Sequence, residues 1–386
     1  MLLQNKQVAI VGGGPGGLTL ARLLQINGAA VNVYERDLNP EVRVQGATLD
    51  LHNDSGLAAL RHAQLLDEFK ACYRPGADRL RLVNQHAAIA YDQHEEQQTA
   101  TFGDPWFRPE IDRGPLRTLL LDSLQPNTVV WDRRLAALTP LGEGWQLAFE
   151  NGTTATADLV IGADGANSSI RQLVTPIQPF YAGVTVVEGT VYHAARNAPR
   201  MHALTQGGKV FAMGNSHTLI TSAKGDGSLC FYTGCRTPEF WVKNSGIDFT
   251  DAAQVLTWFQ QEFAGWDEMW QELFTNKATR FVPRPQYCMP LDQNWEAQAN
   301  ITLLGDAAHL MPPYAGEGVN MAMLDALELS QNLANEHFPD VRTAIRHYEA
   351  RMRERASLVA QETLTQTEAL HSPRALAHLL ALFGVA

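Results

Sequence analysis

Cysteine is scarce in this chain. Cys72, Cys230, Cys235 and Cys288 are the four in 386 residues. None forms a CxxC pair and no Cys/His group has zinc spacing, so neither a structural metal nor a disulfide framework is expected. A chain of this length builds its own core without cross-links. Positive charge is also short, with 30 Lys+Arg against 41 Asp+Glu and a formal net charge of −11. That balance argues against nucleic acid or an anionic membrane surface as a partner. No uninterrupted apolar run approaches the ~20 residues of a membrane span. The opening MLLQNKQ lacks the basic region and the small-residue cleavage site of a signal peptide. The expectation is a cytoplasmic globular protein, monomeric because no oligomer signal is visible, with a small molecule as its partner.

What the chain does have is a glycine cluster. VAIVGGGPGGLTLARLL (8–24) runs from a strand-like stretch through Gly12, Gly14, Pro15 and Gly17 into a helical pattern. Leu18, Leu20, Ala21, Leu23 and Leu24 recur at helical spacing, and AVNVYERD (30–37) reads as the next strand. Gly-x-Gly-x-x-Gly between a strand and a helix fits a dinucleotide cradle. The first glycine allows the tight turn, the second admits a pyrophosphate, and the third lets the helix pack on the strand. Free N–H groups at the helix start then face the phosphates. Glu35 closes the second strand, where a ribose diol needs an acceptor. NAD and FAD share this cradle, so it does not choose between them.

Two later stretches bear on that choice. DLVIGADGANSSIR (158–171) runs from a strand into Asp164-Gly165, and ITLLGDAAHLMPPYAGEGVNMAMLDALEL (301–329) from a strand into Gly305-Asp306. Asp306 can accept from a ribityl or ribose hydroxyl. Gly316 and Gly318 leave bare backbone for an isoalloxazine edge, and the helix starting near Val319 points its positive end the same way. Pro312-Pro313 stiffens the loop, and Tyr314 can project over flavin or substrate. His309 is read as a structural histidine rather than a base. Between about 178 and 290, short alternating segments with glycine turns suggest an antiparallel sheet inserted into an α/β unit. Residues 341–386 read as one or two long helices.

Taken together and in this order, the three motifs resemble those of the group A FAD-dependent aromatic hydroxylases. That resemblance implies an α/β fold: a doubly wound, Rossmann-like FAD-binding domain, an inserted substrate sheet and a long C-terminal helix. The expected division is 1–72, 105–177 and 291–340 for FAD, 73–104 and 178–290 for substrate, and 341–386 as a bridging helical region. The implied reaction is an NAD(P)H- and O2-dependent monooxygenation through a C4a-hydroperoxyflavin on non-covalent FAD. The cofactor carries the chemistry, so no catalytic triad is expected.

GATLDLHNDSG (46–56), PEIDRGPLRTLLLDSL (109–124), VVWDRRL (129–135), TPEFW (237–241) and GDAAHLMPPYAGEGVN (305–320) resemble the tetracycline destructases more closely. By that resemblance Glu35 and Arg36 hold the adenosine side. Asp50, Arg113, Arg117, Asp306, Pro313 and Asn320 contact FAD, and Arg43 meets the phosphate of NADPH. The substrate wall departs from that family. Glu188, Lys209, Ile220 and Cys230 stand where the destructases carry Gln, Arg, Phe and His, and Tyr232 replaces a Gly. Thr367 and His371 face the pocket by the same match. Altered or weakened use of tetracyclines follows, because Lys does not replace a bidentate Arg. A smaller phenolic or N-heteroaromatic substrate, with Lys209 pairing its carboxylate, is the alternative. So is a flavin-bearing protein that sequesters a ligand with little turnover.

Overall fold

Valine and isoleucine in two short runs make buried parallel strands, Gln7–Val11 and Ala30–Tyr34. The Pro15–Ile26 helix between them buries Leu18, Leu20, Ala21, Leu23 and Leu24, the face its spacing predicts. The chain then turns through Gly28 at φ 76°, a left-handed conformation that suits glycine. The computed structural model describes residues 2–42, 46–95, 100–276 and 278–385.

Five parallel strands form the first sheet, in the order Ile301–Leu303, Leu159–Gly162, Gln7–Val11, Ala30–Tyr34 and Val129–Val130. Three glycine-bearing turns therefore leave the carboxyl ends of three adjacent strands, the customary ligand end of such a sheet. Gly144–Phe149 and Thr154–Ala157 pair as a hairpin around Asn151-Gly152, with Gly152 at φ 82°.

The second sheet has seven strands, ordered Arg280–Cys288, Phe180–Val191, Leu229–Arg236, His217–Ala223, Lys209–Gly214, Leu80–Asn84 and Ile89–Asp92. It is antiparallel except where Lys209–Gly214 runs parallel to Leu80–Asn84. The sequence suggests a wholly antiparallel insert. The parallel pair arises because 80–84 enters from an earlier, separate stretch of chain rather than through a hairpin. One face packs Val83, Val187, Val210, Ala212, Leu219 and Phe231 onto Phe259, Trp270 and Phe274. The other face looks toward the first sheet.

The Val341–Leu370 helix spans both parts. Tyr348 donates to the Leu303 carbonyl at 3.0 Å under the first sheet. Leu370, with Ala375 and Leu379 of the Ala375–Leu382 helix, covers Leu80, Leu82 and Met213 of the second. The four cysteines are free thiols. Among the described residues no helix is long and apolar enough to cross a membrane.

Candidate active site

The first turn is built by close approach. A Cβ on Gly12, whose φ is 111°, would lie 2.2 Å from the Ala163 carbonyl oxygen, and one on Gly17 would lie 2.2 Å from the Gly12 oxygen. Gly14 differs, since a Cβ there would meet nothing within 4 Å. Its bareness leaves room outside the protein, at the start of a helix with no side-chain cap. Glu35 is buried. It accepts the Gly13 N–H at 2.5 Å and the Asp37 N–H at 3.0 Å. Arg36 beside it is exposed. Arg117 pairs with Asp37 at 3.0 Å and lies over the Trp131 ring. Its buried Nε and Nη1 have no hydrogen-bond partner among the described residues, which a ligand at the Glu35 end would supply. Arg43 lies outside the described residues.

The turn at Gly305-Asp306 is held from behind. Asp325, wholly buried, accepts the Gly305 N–H at 2.9 Å, His309 at 2.5 Å and Arg355 at 2.7 Å. Burial alone would pull His309 down, but Asp325 more than offsets it and raises its pKa. Arg171 donates to the Asp306 and Ala307 carbonyls at 2.8 and 2.7 Å. The Asp306 carboxylate stays accessible, ringed by protein. That crowding pushes its pKa up against His309, Arg113 and Arg171.

Beyond the Gly305-Asp306 turn the chain runs through Pro313–Ala315 and Gly316 at φ 72° into the Gly318–Ala334 helix, which has no side-chain cap. A Cβ on Gly318 would meet nothing within 4 Å, and Val319 continues this first turn. Asn320 is fully buried, and its amide is committed to the protein. It accepts from His52 N–H at 2.9 Å and Ser55 at 3.2 Å, and donates to the Asp50 carbonyl at 2.9 Å. Its backbone N–H, not its side chain, is what the helix offers a ligand. Asp50 pairs with His52 at 3.0 Å and Arg108 at 4.0 Å. Burial would raise Asp50, but His52, Lys209 and Arg108 hold it below the usual carboxylate range. Arg113 is exposed and donates to the Ala47 carbonyl at 3.1 Å.

All five sheet positions singled out for substrate share one face. Glu188, Tyr232 and Ile220 stand in one cross-strand row with Phe211 and Leu82. Cys230 and Lys209 stand in the next row with Ser222 and Leu80. Directly paired residues point the same way, and it is this face that meets the first sheet's loops. The Tyr232 hydroxyl accepts the Ala47 N–H at 2.8 Å, strapping the sheet to the loop before Asp50. Tyr232 is thus a strut as well as a space filler. Glu188 pairs with Arg284 at 2.6 Å. Cys230 is fully buried, which pushes its thiol up to about 11, so it is not a thiolate at neutral pH.

Two expectations change here. Lys209 is not free for a substrate carboxylate, because Glu110 forms a close ion pair with it. Burial would lower Lys209, but Glu110 and Asp50 offset this and keep it a cation. Thr367 turns its hydroxyl back to the Thr363 carbonyl at 2.7 Å, as a helical threonine can. Only its own carbonyl bears on the site, receiving His371 Nδ1–H at 2.8 Å. His371 Nε2 then accepts from the Tyr314 hydroxyl at 3.2 Å. Burial lowers His371 to about 4, so it is neutral. Both side chains lie against Gly234, where a Cβ would come within 2.5 Å of the Tyr314 oxygen and 2.6 Å of His371 Nε2.

Sequence reading misses Asp325, Arg171, Glu110 and Arg284. One signal was present: the acid at the centre of MAMLDALEL is costly to bury unless paired.

The FAD binding domain family model matches residues 5–363. Monooxygenase asqM of Emericella nidulans is 28% identical over 88% of this chain and 87% of its own. The 3-amino-4-hydroxybenzoate 2-monooxygenase of Streptomyces cremeus is 29% identical over 97% of this chain and 90% of its own. Tetracycline destructase Tet(55) superposes with a TM-score of 0.78 over 100% of this chain and 97% of its own, at 18% identity, a likeness of fold. The resemblance to group A hydroxylases therefore holds at the level of family and fold, while these sequence relatives are monooxygenases of other names. The chain belongs to the FAD binding domain family, among its FAD-dependent monooxygenases.

Proposed function

We propose that this enzyme uses a nicotinamide and O2 to hydroxylate an electron-rich enol or phenol carbon of a ring substrate lying between the seven-stranded sheet and the 313–318 loop. The observation that carries this reading is the register: Glu188, Lys209, Ile220, Cys230 and Tyr232 share one face, which meets the loop before Asp50 at Tyr232 and the 313–315 turn at Gly234. The residues of 1–72, 105–177 and 291–340 then serve FAD, those of 73–104 and 178–290 form the substrate wall, and 341–386 bridge them.

Gly14 and the bare start of its helix would hold the pyrophosphate, Glu35 the ribose, and Arg36 and Arg117 the adenosine side. Asp306 would accept a ribityl hydroxyl. Asp50, Arg113, Pro313, Gly316 and the N–H groups of Gly318–Asn320 would line the flavin end. Bound and reduced, FAD supplies activated oxygen. Overall, one atom of O2 enters a substrate C–H bond and the other leaves as water, with two electrons from NAD(P)H. The chain's own task is to exclude water, orient the ring and keep the turns rigid. Tyr314, whose proton goes to His371, is a neutral acceptor for a substrate hydroxyl.

The finer reading is a tetracycline or tetracycline-like polyketide. The Tyr232 strut narrows the wall and favours a smaller phenolic or N-heteroaromatic ring as the second reading. Purified protein with NADPH and each ring class tests both. Ligand-accelerated NADPH loss with a product one oxygen heavier supports hydroxylation. Acceleration that yields only hydrogen peroxide marks the ligand as an effector and counts against that substrate.

A further inference from the structure

Among the described residues, the charges at the two ends of this face are already paired. At one end Glu188 pairs with Arg284 at 2.6 Å. At the other Lys209 is clasped by Glu110, itself 1% exposed. At the edge beneath His371, Arg236 is bound by Glu368. Asp50 adds a second negative group facing Lys209. Arg113, anchored at the Ala47 carbonyl, stands between Asp306 and the Tyr232 hydroxyl, away from Lys209 at the other end of the face.

Between the ion pairs the face is apolar or hydroxylic. Ile220, Phe211, Leu82 and Met213 occupy it, and Leu376 and Leu379 close over its far end. The hydrogen-bonding groups left are neutral: the hydroxyls of Tyr232, Thr218 and Tyr314, with neutral His371 behind. The Tyr232 oxygen accepts the Ala47 N–H, and its hydroxyl also meets the Cys230 thiol.

A carboxylate set against Lys209 would lose its hydration without gaining that cation, which could reach it only by abandoning Glu110. An uncharged ring with hydroxyl and carbonyl groups would keep its hydrogen bonds and bury its apolar area.

We propose that the site selects an uncharged hydroxylated ring and rejects its carboxylate-bearing counterpart, with Glu110 as the specificity-determining residue that takes Lys209 out of play. This rests on the reading of the sheet face as the substrate wall. It separates this enzyme from its relative named for 3-amino-4-hydroxybenzoate, whose named compound carries a carboxylate.

The test is binding to the FAD-loaded protein, read as a shift in flavin absorbance without NADPH. The probes are 4-hydroxybenzoate and 3-hydroxy-2-naphthoate, each beside its methyl ester. At least one ester should bind at least about tenfold more tightly than its acid. In Glu110→Gln, which frees Lys209, that ratio should fall below about threefold because the acid tightens. The proposal is overturned if an acid binds as tightly as its ester in the unaltered enzyme. It is equally overturned if neither ester perturbs the flavin at millimolar concentration, or if the folded Glu110→Gln protein keeps the original ratio. If Glu110→Gln does not fold, the ratio in the unaltered enzyme decides. Ester-selective binding without any oxygenated product would instead defeat the hydroxylation reading and leave the selectivity standing.

Discussion

Two glycines in one motif do different work. Gly12 sits at φ 111° with no space for a Cβ, whereas Gly14 has open space before it. Gly12→Ala should therefore cost about 2–4 kcal/mol of stability through strain and overpacking. Gly14→Ala should melt within about 0.5 kcal/mol of the parent yet bind FAD more weakly. Chemical denaturation of the apoprotein and FAD titration separate the two, and a Gly14→Ala protein with full FAD affinity would contradict the assignment.

His371 makes a second residue-scale prediction. Its folded pKa of about 4 lies below the ordinary 6.5. The fold thus favours the neutral ring, a stabilisation fully present above about pH 6.5 and lost as pH falls toward 4, worth about 3 kcal/mol in all. His371→Gln should flatten stability over that window; an unchanged slope would show that His371 does not titrate this way. GxGxxG and the Glu35 acceptor were legible because backbone geometry demands those residue types locally. Arg284 and Glu110 were not, since their partners Glu188 and Lys209 stand 96 and 99 residues away.

Among elements, the Gly305-Asp306 turn depends on the helix behind it. Asp325 joins that turn, His309 and, through Arg355, the long C-terminal helix. Asp325→Asn leaves buried His309 without its counter-charge and Arg355 with Glu328 alone, and should cost about 3–5 kcal/mol, with weaker FAD retention. A loss under about 1 kcal/mol in urea would mean the network is not the turn's support. The helix itself was plain from its amphipathic spacing, but a single buried acid reads from sequence as a solvated one.

The Ala375–Leu382 helix supplies a different prediction, because it covers Leu80, Leu82 and Met213 rather than the glycine turns. Ending the chain after Ser372 should leave FAD content unchanged and weaken ring binding by about tenfold or more. Loss of FAD instead would place this helix in the cofactor's support. The one parallel pair in the second sheet was hidden for a topological reason: alternation marks a strand but not its neighbour.

For the whole molecule, the two sheets meet through a few directed contacts. Tyr232 holds Ala47, Glu110 holds Lys209, and Tyr314 reaches His371. They bring the wall against the loop before Asp50 and the 313–315 turn. The fold class was readable because three motifs in order, each following a strand, resemble those of a family whose FAD domain is a doubly wound sheet. The substrate was not, because it depends on which charges on the wall are already paired. Hydroxylation here requires that O2 give one atom to a ring held on this wall. The direct measurement is turnover of a bound phenolic ester with NADPH under oxygen-18 gas, followed by product mass. Each hydroxylated product should carry one oxygen-18 atom. Unlabelled product, or NADPH consumed to hydrogen peroxide with every ring that binds, would contradict it.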